Sequence, residues 1–347
     1  MKYAAISEHI DLIKNAVCGK VSFFCRNKAE RWSRKMKIYK PEGRILATEE
    51  NRRYLSGACA LREAFHCGEI MEARVMRCDA EHNLHVDLGC MKGIIPRNEG
   101  ALGIEEGSVR DIALISRVNK PVAFVITGFG FDENGETYAL LSRKKVQQEC
   151  MKNYISRLSA GDVIPATVTH MEGFGVFCDI GCGISALMPI DSISVSRIPH
   201  PSARFSAGNR IFAAVKSIDE NGRITLSHKE LLGTWEQNAG CLSIGETVPG
   251  IVRSVEKYGI FVELAPNLAG LAEFSGGVEA GSHASVYIKS IIPSKMKVKL
   301  IIVDSFDADY PAQPLKYFID SGHIDRWIYS PEESEKLIET VFTEAAE

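Results

Sequence analysis

The sequence predicts a mainly β protein, built as three tandem five-stranded barrels with helical segments at its N- and C-terminal ends. Three observations lead there. A long motif recurs after 84 residues, with a weaker copy ahead of it. Within each copy the apolar runs are short, rich in Val, Ile and Phe, and broken by Gly or Asn-Gly, as in antiparallel β modules. Apolar residues at helical spacing occur only toward the ends and in one linker.

The repeat is plainest where GDVIPATVTHMEGFGVFCDIG from Gly161 is echoed by GETVPGIVRSVEKYGIFVELA from Gly245. Phe174 then matches Tyr258, Gly175 matches Gly259, and Phe177 matches Phe261. Farther on, GNRIFAAVKSIDENGRITLS from Gly208 parallels GSHASVYIKSIIPSKMKVKL from Gly281, which aligns Lys216 with Lys289 and Arg223 with Lys297. The earlier copy runs from Gly68 through AEHNLHVDLG to DENGETYALLSRKK, with His82 and His85 in the two aromatic positions.

Taken in order, residues 1–67 form a basic, partly helical region, with Ile6, Ile10, Ile13 and Val17 as one apolar stripe. Residues 68–145 are the first unit. Residues 146–160 link it onward as a helix, since Val146, Cys150, Tyr154 and Leu158 recur at helical spacing. Residues 161–230 are the second unit, with strands near 163–170, 174–180, 184–188, 210–218 and 223–227 and a tight hairpin at Asn221-Gly222. Five strands with a long irregular connection over 193–206 suit a closed Greek-key barrel of the OB type, which leaves no sheet edge exposed. Residues 231–244 are a second linker, with Trp235 as a packing residue, and 245–305 are the third unit. Residues 306–347 are acidic. There Ser330, Pro331 and Glu333 read as a helix start, followed by Leu337, Ile338, Val341 and Phe342 as its apolar face.

On the run from Gly161 to Trp235, where SALMP and VKSIDENGRITLSHKE follow the first motif, the chain resembles the S1 RNA-binding domain family, the family of bacterial ribosomal protein S1. The resemblance implies an OB barrel that binds single-stranded RNA on one face. It also implies a contact surface of two aromatics on the second strand, a His on the third, and an Asp and an Arg flanking the last hairpin. In the second unit these positions hold Phe174, Phe177, Asp219 and Arg223, with Pro189 in place of the His. In the third they hold Tyr258, Phe261 and Lys297, with Glu273 in place of the His and Ile292 in place of the Asp. In the first, His82, His85 and Glu136 replace the aromatics and the Arg.

The residues themselves support the same chemistry. Unpaired bases expose π faces that any displayed aromatic ring stacks, and cations beside the sheet neutralise phosphates. Lys216 and Arg223 serve the second unit in this way; Arg253, Lys257, Lys289 and Lys297 serve the third. The competing reading is structural. An aromatic on a strand is ordinarily core, and residues three apart on a regular strand face opposite ways. Phe174 and Phe177 therefore share a surface only if the backbone bends at Gly175. Likewise, Arg223 is otherwise a solvated hairpin residue, and Asp219 a turn residue capping its own backbone.

The whole chain of 347 residues has a net charge of −3, which conceals an asymmetry. Residues 1–67 hold 14 Lys and Arg against 7 Asp and Glu, whereas 306–347 hold 3 against 10. Residues 20–44 combine nine basic residues with Phe23, Phe24, Trp32 and Tyr39, a nucleic-acid or ribosome contact or else a helix with a solvated basic face. The 45% hydrophobic and 24% charged composition fits a soluble globular chain. Glu8 and Asp11 fall where a signal peptide is apolar. Ten scattered cysteines without a CxxC pair read as reduced thiols, so the expected location is cytoplasmic. No metal or other cofactor is expected; Asp304, Asp307 and Asp309 lack a complete cation-loop pattern. Phosphate-loop, HExxH and GxSxG motifs are absent, and the SxxK matches at Ser142 and Ser294 lack companion motifs, so no enzyme is expected. The leading expectation is a single-stranded RNA-binding protein acting in translation, with mRNA and the small ribosomal subunit as partners and no membrane or small-molecule substrate. The alternative is a protein-interaction scaffold in which RNA contact is incidental.

Overall fold

The computed structural model describes residues 39–307 and 315–342. The apolar stripe from Ile6 to Val17, the basic and aromatic residues before Tyr39, and Asp309 lie outside them. The chain divides into two compact units, Met1–Ser156 with Gly181–Gly183, and Arg157–Ile180 with Ile184–Glu347.

The first unit opens with two helices, α1 (Glu49–Tyr54) and α2 (Ala58–Cys67). The Thr48 side chain accepts from Asn51 N to start α1, and Gly68 ends α2 at φ 62°, in the left-handed region that a glycine reaches without strain. Five strands follow: β1 (Met71–Cys78), β2 (Leu84–Asp87), β3 (Lys92–Ile95), β4 (Pro121–Phe131) and β5 (Thr137–Ser142). They close in the order β1-β2-β3-β5-β4, with β3 and β5 parallel and the other ladders antiparallel. Inward-facing Met71, Val75, Leu84, Ile95, Phe124 and Leu141 fill the barrel, and Leu61 and Ala64 of α2 join the same core. Each large side chain buried this way contributes about 1.5–3 kcal/mol. A short helix, α3 (Ile112–Ile115), lies in the connection between β3 and β4. Helix α4 (Arg143–Asn153) starts where the Ser142 hydroxyl accepts from Lys145 N at 2.9 Å. The first SxxK match is therefore a helix cap.

The second unit holds two further barrels. The strands β6 (Val163–Glu172), β7 (Gly175–Gly181), β8 (Ile184–Pro189), β9 (Arg210–Ile218) and β10 (Ile224–Ser227) close in the order β10-β8-β7-β6-β9. After the short helix α5 (Trp235–Ala239), the strands β11 (Thr247–Glu256), β12 (Gly259–Ala265), β13 (Leu268–Ala272), β14 (His283–Ile292) and β15 (Lys297–Phe306) close in the order β11-β12-β13-β15-β14. All three barrels thus share one topology, the five-stranded closed sheet of the OB type. Trp235 is buried in the core it shares with the third barrel, as a packing residue should be.

The two barrels of this unit are fastened by named side chains. Asn267, buried in the β12 to β13 turn, accepts from Val195 N at 3.0 Å and donates to Lys229 O and Gly233 O at 2.7 and 2.8 Å. The Glu263 carboxylate on β12 meets Arg204 of the long β8 to β9 connection at 2.5 Å and Arg253 of β11 at 2.8 Å, all three side chains being nearly buried.

The C-terminal segment departs from expectation. No helix forms after Ser330; the chain makes a two-stranded ribbon, β16 (Arg326–Ile328) with β17 (Glu339–Val341). The Ser330 hydroxyl caps no helix and instead accepts from Ile338 N across the turn. Tertiary packing overrides the local signal. Trp327 and Tyr329 alternate inward and join the core of the barrels together with Ile324 and Phe342. Tyr329 O accepts from Trp235 N at 3.0 Å, and Tyr329 OH donates to Asn267 O at 2.6 Å. Leu337 and Val341, which a helix would have buried, remain exposed.

Candidate nucleic-acid interface

In the second barrel, Glu172 of β6 pairs with Gly175 of β7, so the turn between them is a two-residue loop, Gly173-Phe174. Phe174 sits at its tip and is 58% exposed. Phe177 faces outward between buried Val176 and Cys178. Gly175 occupies the same outward row two residues earlier and has no side chain, which leaves room for the Phe174 ring beside Phe177. The two rings meet edge to face, 6.1 Å apart at 90°. Glycine is required there, because a Cβ at Gly175 would come within 2.5 Å of Met188 O on β8.

The third barrel repeats this arrangement. Glu256 pairs with Gly259, leaving Lys257-Tyr258 as the loop, and Tyr258 is 70% exposed. Its ring lies 6.1 Å from Phe261 at 85°. Gly259 has φ +152° and abuts Ala272 O on β13. The expected bend at Gly175 is not what joins the rings: Gly175 stays in the regular ladder opposite Glu172, and it is the tight hairpin loop before it that carries Phe174 to the side of Phe177.

The cations are less uniform. Lys216 on β9 donates to Ser192 Oγ at 3.1 Å, and the 3-10 turn that carries Ser192, Ile190–Ser192, donates from Ile190 N to Phe174 O at 3.0 Å. One turn thus ties Lys216 to the aromatic loop. Arg223 is exposed just after the β9 to β10 hairpin. Asp219 accepts at one carboxylate oxygen from Asn221 N at 2.9 Å and Arg223 N at 2.7 Å, so it holds the hairpin that presents Arg223. In the third barrel Lys257 and Lys297 are exposed, whereas Lys289 is paired with Glu273 at 3.3 Å. Arg253 is engaged by the buried Glu263 carboxylate and is not on hand for a phosphate.

Two residues that the repeat pattern does not single out belong to these surfaces. Lys299 of β15 pairs with Leu271 of β13, which pairs with Phe261, so all three lie in one cross-strand row. His170 of β6 stands directly opposite Phe177. The signal for Lys299 is its outward alternation from Lys297; His170 has none that simple counting could find.

The first barrel has no aromatic pair at these positions. His85 is held by Asp79 at 2.9 Å, and Asp79 also accepts from Glu81 N and Asn83 N. Desolvation raises the Asp79 carboxyl, but the hydrogen bonds from His85, Asn83 and Glu81 N together outweigh it and hold the group at about 2. Glu136, at the Arg position, is paired with Lys92 at 2.9 Å. Among the described residues no cluster of His, Cys, Asp or Glu is arranged to hold a metal ion, and no helix is long and apolar enough to cross a membrane.

The family model for the S1 RNA binding domain matches residues 157–229, which is the second barrel. The chain is 29% identical over 291 residues to the small ribosomal subunit protein bS1 homolog of Bacillus cereus, covering 77% of this chain and 73% of that one. It is 30% identical over 276 residues to the small ribosomal subunit protein bS1 of Staphylococcus aureus, covering 75% and 66%. It is 27% identical over 254 residues to that of Leuconostoc lactis, covering 68% of this chain and 57% of the relative. The chain thus spans little more than half the length of the last of these.

Proposed function

Starting from the premise that this chain belongs to the S1 RNA-binding domain family, we propose that it binds single-stranded RNA through its second and third barrels and acts in translation. The observation that carries this reading is the pair of solvent-facing, edge-to-face aromatic couples, Phe174 with Phe177, tied to Lys216 through the Ser192 turn, and Tyr258 with Phe261, in one cross-strand row with Lys299. Solvent-facing rings on a sheet gain by stacking unpaired bases, whatever their identity, and Lys216, Arg223, Lys297 and Lys299 supply phosphate contacts around them. Asp219 contributes by holding the hairpin, and Lys289 by exchanging its Glu273 partner for a phosphate. In the first barrel His85 and Glu136, at two of the equivalent positions, are taken up by internal pairs, which leaves RNA contact to the other two. Two sites on one linked chain reinforce each other through effective concentration.

The names of the relatives extend the proposal to the small ribosomal subunit as a partner; that the RNA is mRNA, that the chain acts in the cytoplasm and that its role is non-enzymatic belong to the same proposal. The test is a salt titration of binding to a fluorescent single-stranded RNA. Log affinity should fall linearly with log salt, with a slope near −0.7 for each phosphate contact. A flat response would remove the phosphate contacts and favour the scaffold.

A further inference from the structure

We propose that His170 is a third base-stacking residue of the second barrel, so that this barrel engages one nucleotide more than the third. The inference rests on the RNA-binding reading above and lengthens its site. In each barrel the first strand carries a bulge at one place: between Val75 and Arg77, between Val168 and His170, and between Val252 and Ser254. A bulge shifts the alternation by one residue and re-aims the rest of the strand. The residue just past it therefore faces outward, opposite the second aromatic position. That residue is Arg77 opposite His85 in the first barrel, His170 opposite Phe177 in the second, and Ser254 opposite Phe261 in the third.

Only the second barrel places a ring opposite a ring. The His170 side chain is 64% exposed, and its ring lies 6.3 Å from that of Phe177, within 21° of parallel. With Phe174 also meeting Phe177, the surface carries three neighbouring rings, Phe174, Phe177 and His170. Nε2 of His170 is 2.6 Å from Glu172 Oε1, two residues along the same strand and on the same face. That bond restrains the ring, so less side-chain freedom is lost when a base settles on it. Ser254 has no π face, and the row of Phe261 offers the Lys299 ammonium instead.

The experiment uses the full chain with His170→Ala, His170→Phe and His170→Lys, and fluorescent oligouridylates of about 4 to 16 nucleotides, the span an OB fold covers. His170→Ala should weaken binding of the longer oligonucleotides roughly 5- to 150-fold, the range measured for one stacked base, and leave the shortest unaffected. His170→Phe should retain wild-type affinity, and His170→Lys should resemble His170→Ala. Because His170 is exposed, none of these changes threatens the fold. If His170→Ala binds every length as the wild type does while Phe174→Ala is weakened, the third ring is refuted and the RNA-binding reading stands. If His170→Lys restores affinity and His170→Phe does not, the contact is ionic and the stacking proposal fails. If Phe174→Ala is also without effect, it is the underlying reading that fails.

Discussion

His228 makes the second unit acid-labile in a way that can be worked out from its surroundings. It stands at the end of β10, fully buried, with Nδ1 3.0 Å from Ile193 O and Nε2 3.0 Å from Tyr317 OH. A carbonyl only accepts, so Nδ1 carries a proton; in the neutral imidazole, the form that burial favours, the phenol donates to Nε2. Burial pushes its pKa from the ordinary 6.5 down to about 4; Arg204 acts in the same direction, and the bond to Ile193 O opposes them. Since the folded value lies below the unfolded one, the unfolded chain takes up the proton first as pH falls. The stabilisation is complete above about pH 6.5 and is lost progressively toward pH 4. A shift of this size corresponds to about 3 kcal/mol. The loss reaches the proposed interface. His228 N donates to Ser192 O at 2.8 Å, and Ser192 belongs to the turn that holds Lys216 and Phe174. Urea unfolding at a series of pH values, followed by tryptophan fluorescence, reads the effect, because Trp235 and Trp327 are both buried in this unit. His228→Gln should be less stable at pH 7 but should lose less stability than the wild type between pH 6.5 and 4. Parallel pH profiles for the two proteins would refute the argument.

Other consequences arise from the same contacts. Glu263→Ala leaves the Arg204 and Arg253 guanidinium groups buried without their carboxylate and should destabilise the second unit by about 3–5 kcal/mol, measured by urea unfolding; a change under 1 kcal/mol would mean the cluster is solvated. Gly175→Ala drives a Cβ against Met188 O and should cost about 1–3 kcal/mol while displacing the Phe174 loop, so RNA affinity and thermal stability should fall together. Arg223→Ala should leave stability within about 0.5 kcal/mol and reduce the salt slope of RNA binding by about 0.7, as expected for one lost phosphate contact. An unchanged slope would remove Arg223 from the interface.

Much of this architecture is legible in the residues, and the failures have identifiable causes. The repeat places the aromatic couples because a tight hairpin next to a close strand-to-strand approach needs glycine at 175 and 259, and that requirement leaves a mark in the sequence. His170 escapes notice because alternation counted from Ile164, Ala166 and Val168, all buried, puts it inside the barrel. The bulge that turns it outward is a property of the ladder and has no residue signature. Arg253 reads as a free cation until the fold brings Glu263 against it from the neighbouring strand. The C-terminal helix start is locally sound, but Trp327 and Tyr329 find buried places only as alternating residues of a strand. That preference is set by the barrels they pack on, more than 50 residues earlier in the chain for Asn267.

The central claim is that the two solvent-facing aromatic couples bind single-stranded RNA by stacking. Its most direct test is the affinity of the folded double variant Phe174→Ala with Tyr258→Ala for a fluorescent single-stranded RNA at fixed salt. Loss of one stacked base per barrel predicts a weakening of at least about 25-fold, with the circular dichroism spectrum and melting temperature retained, because both side chains are mostly exposed. Wild-type affinity in the folded double variant would contradict the account.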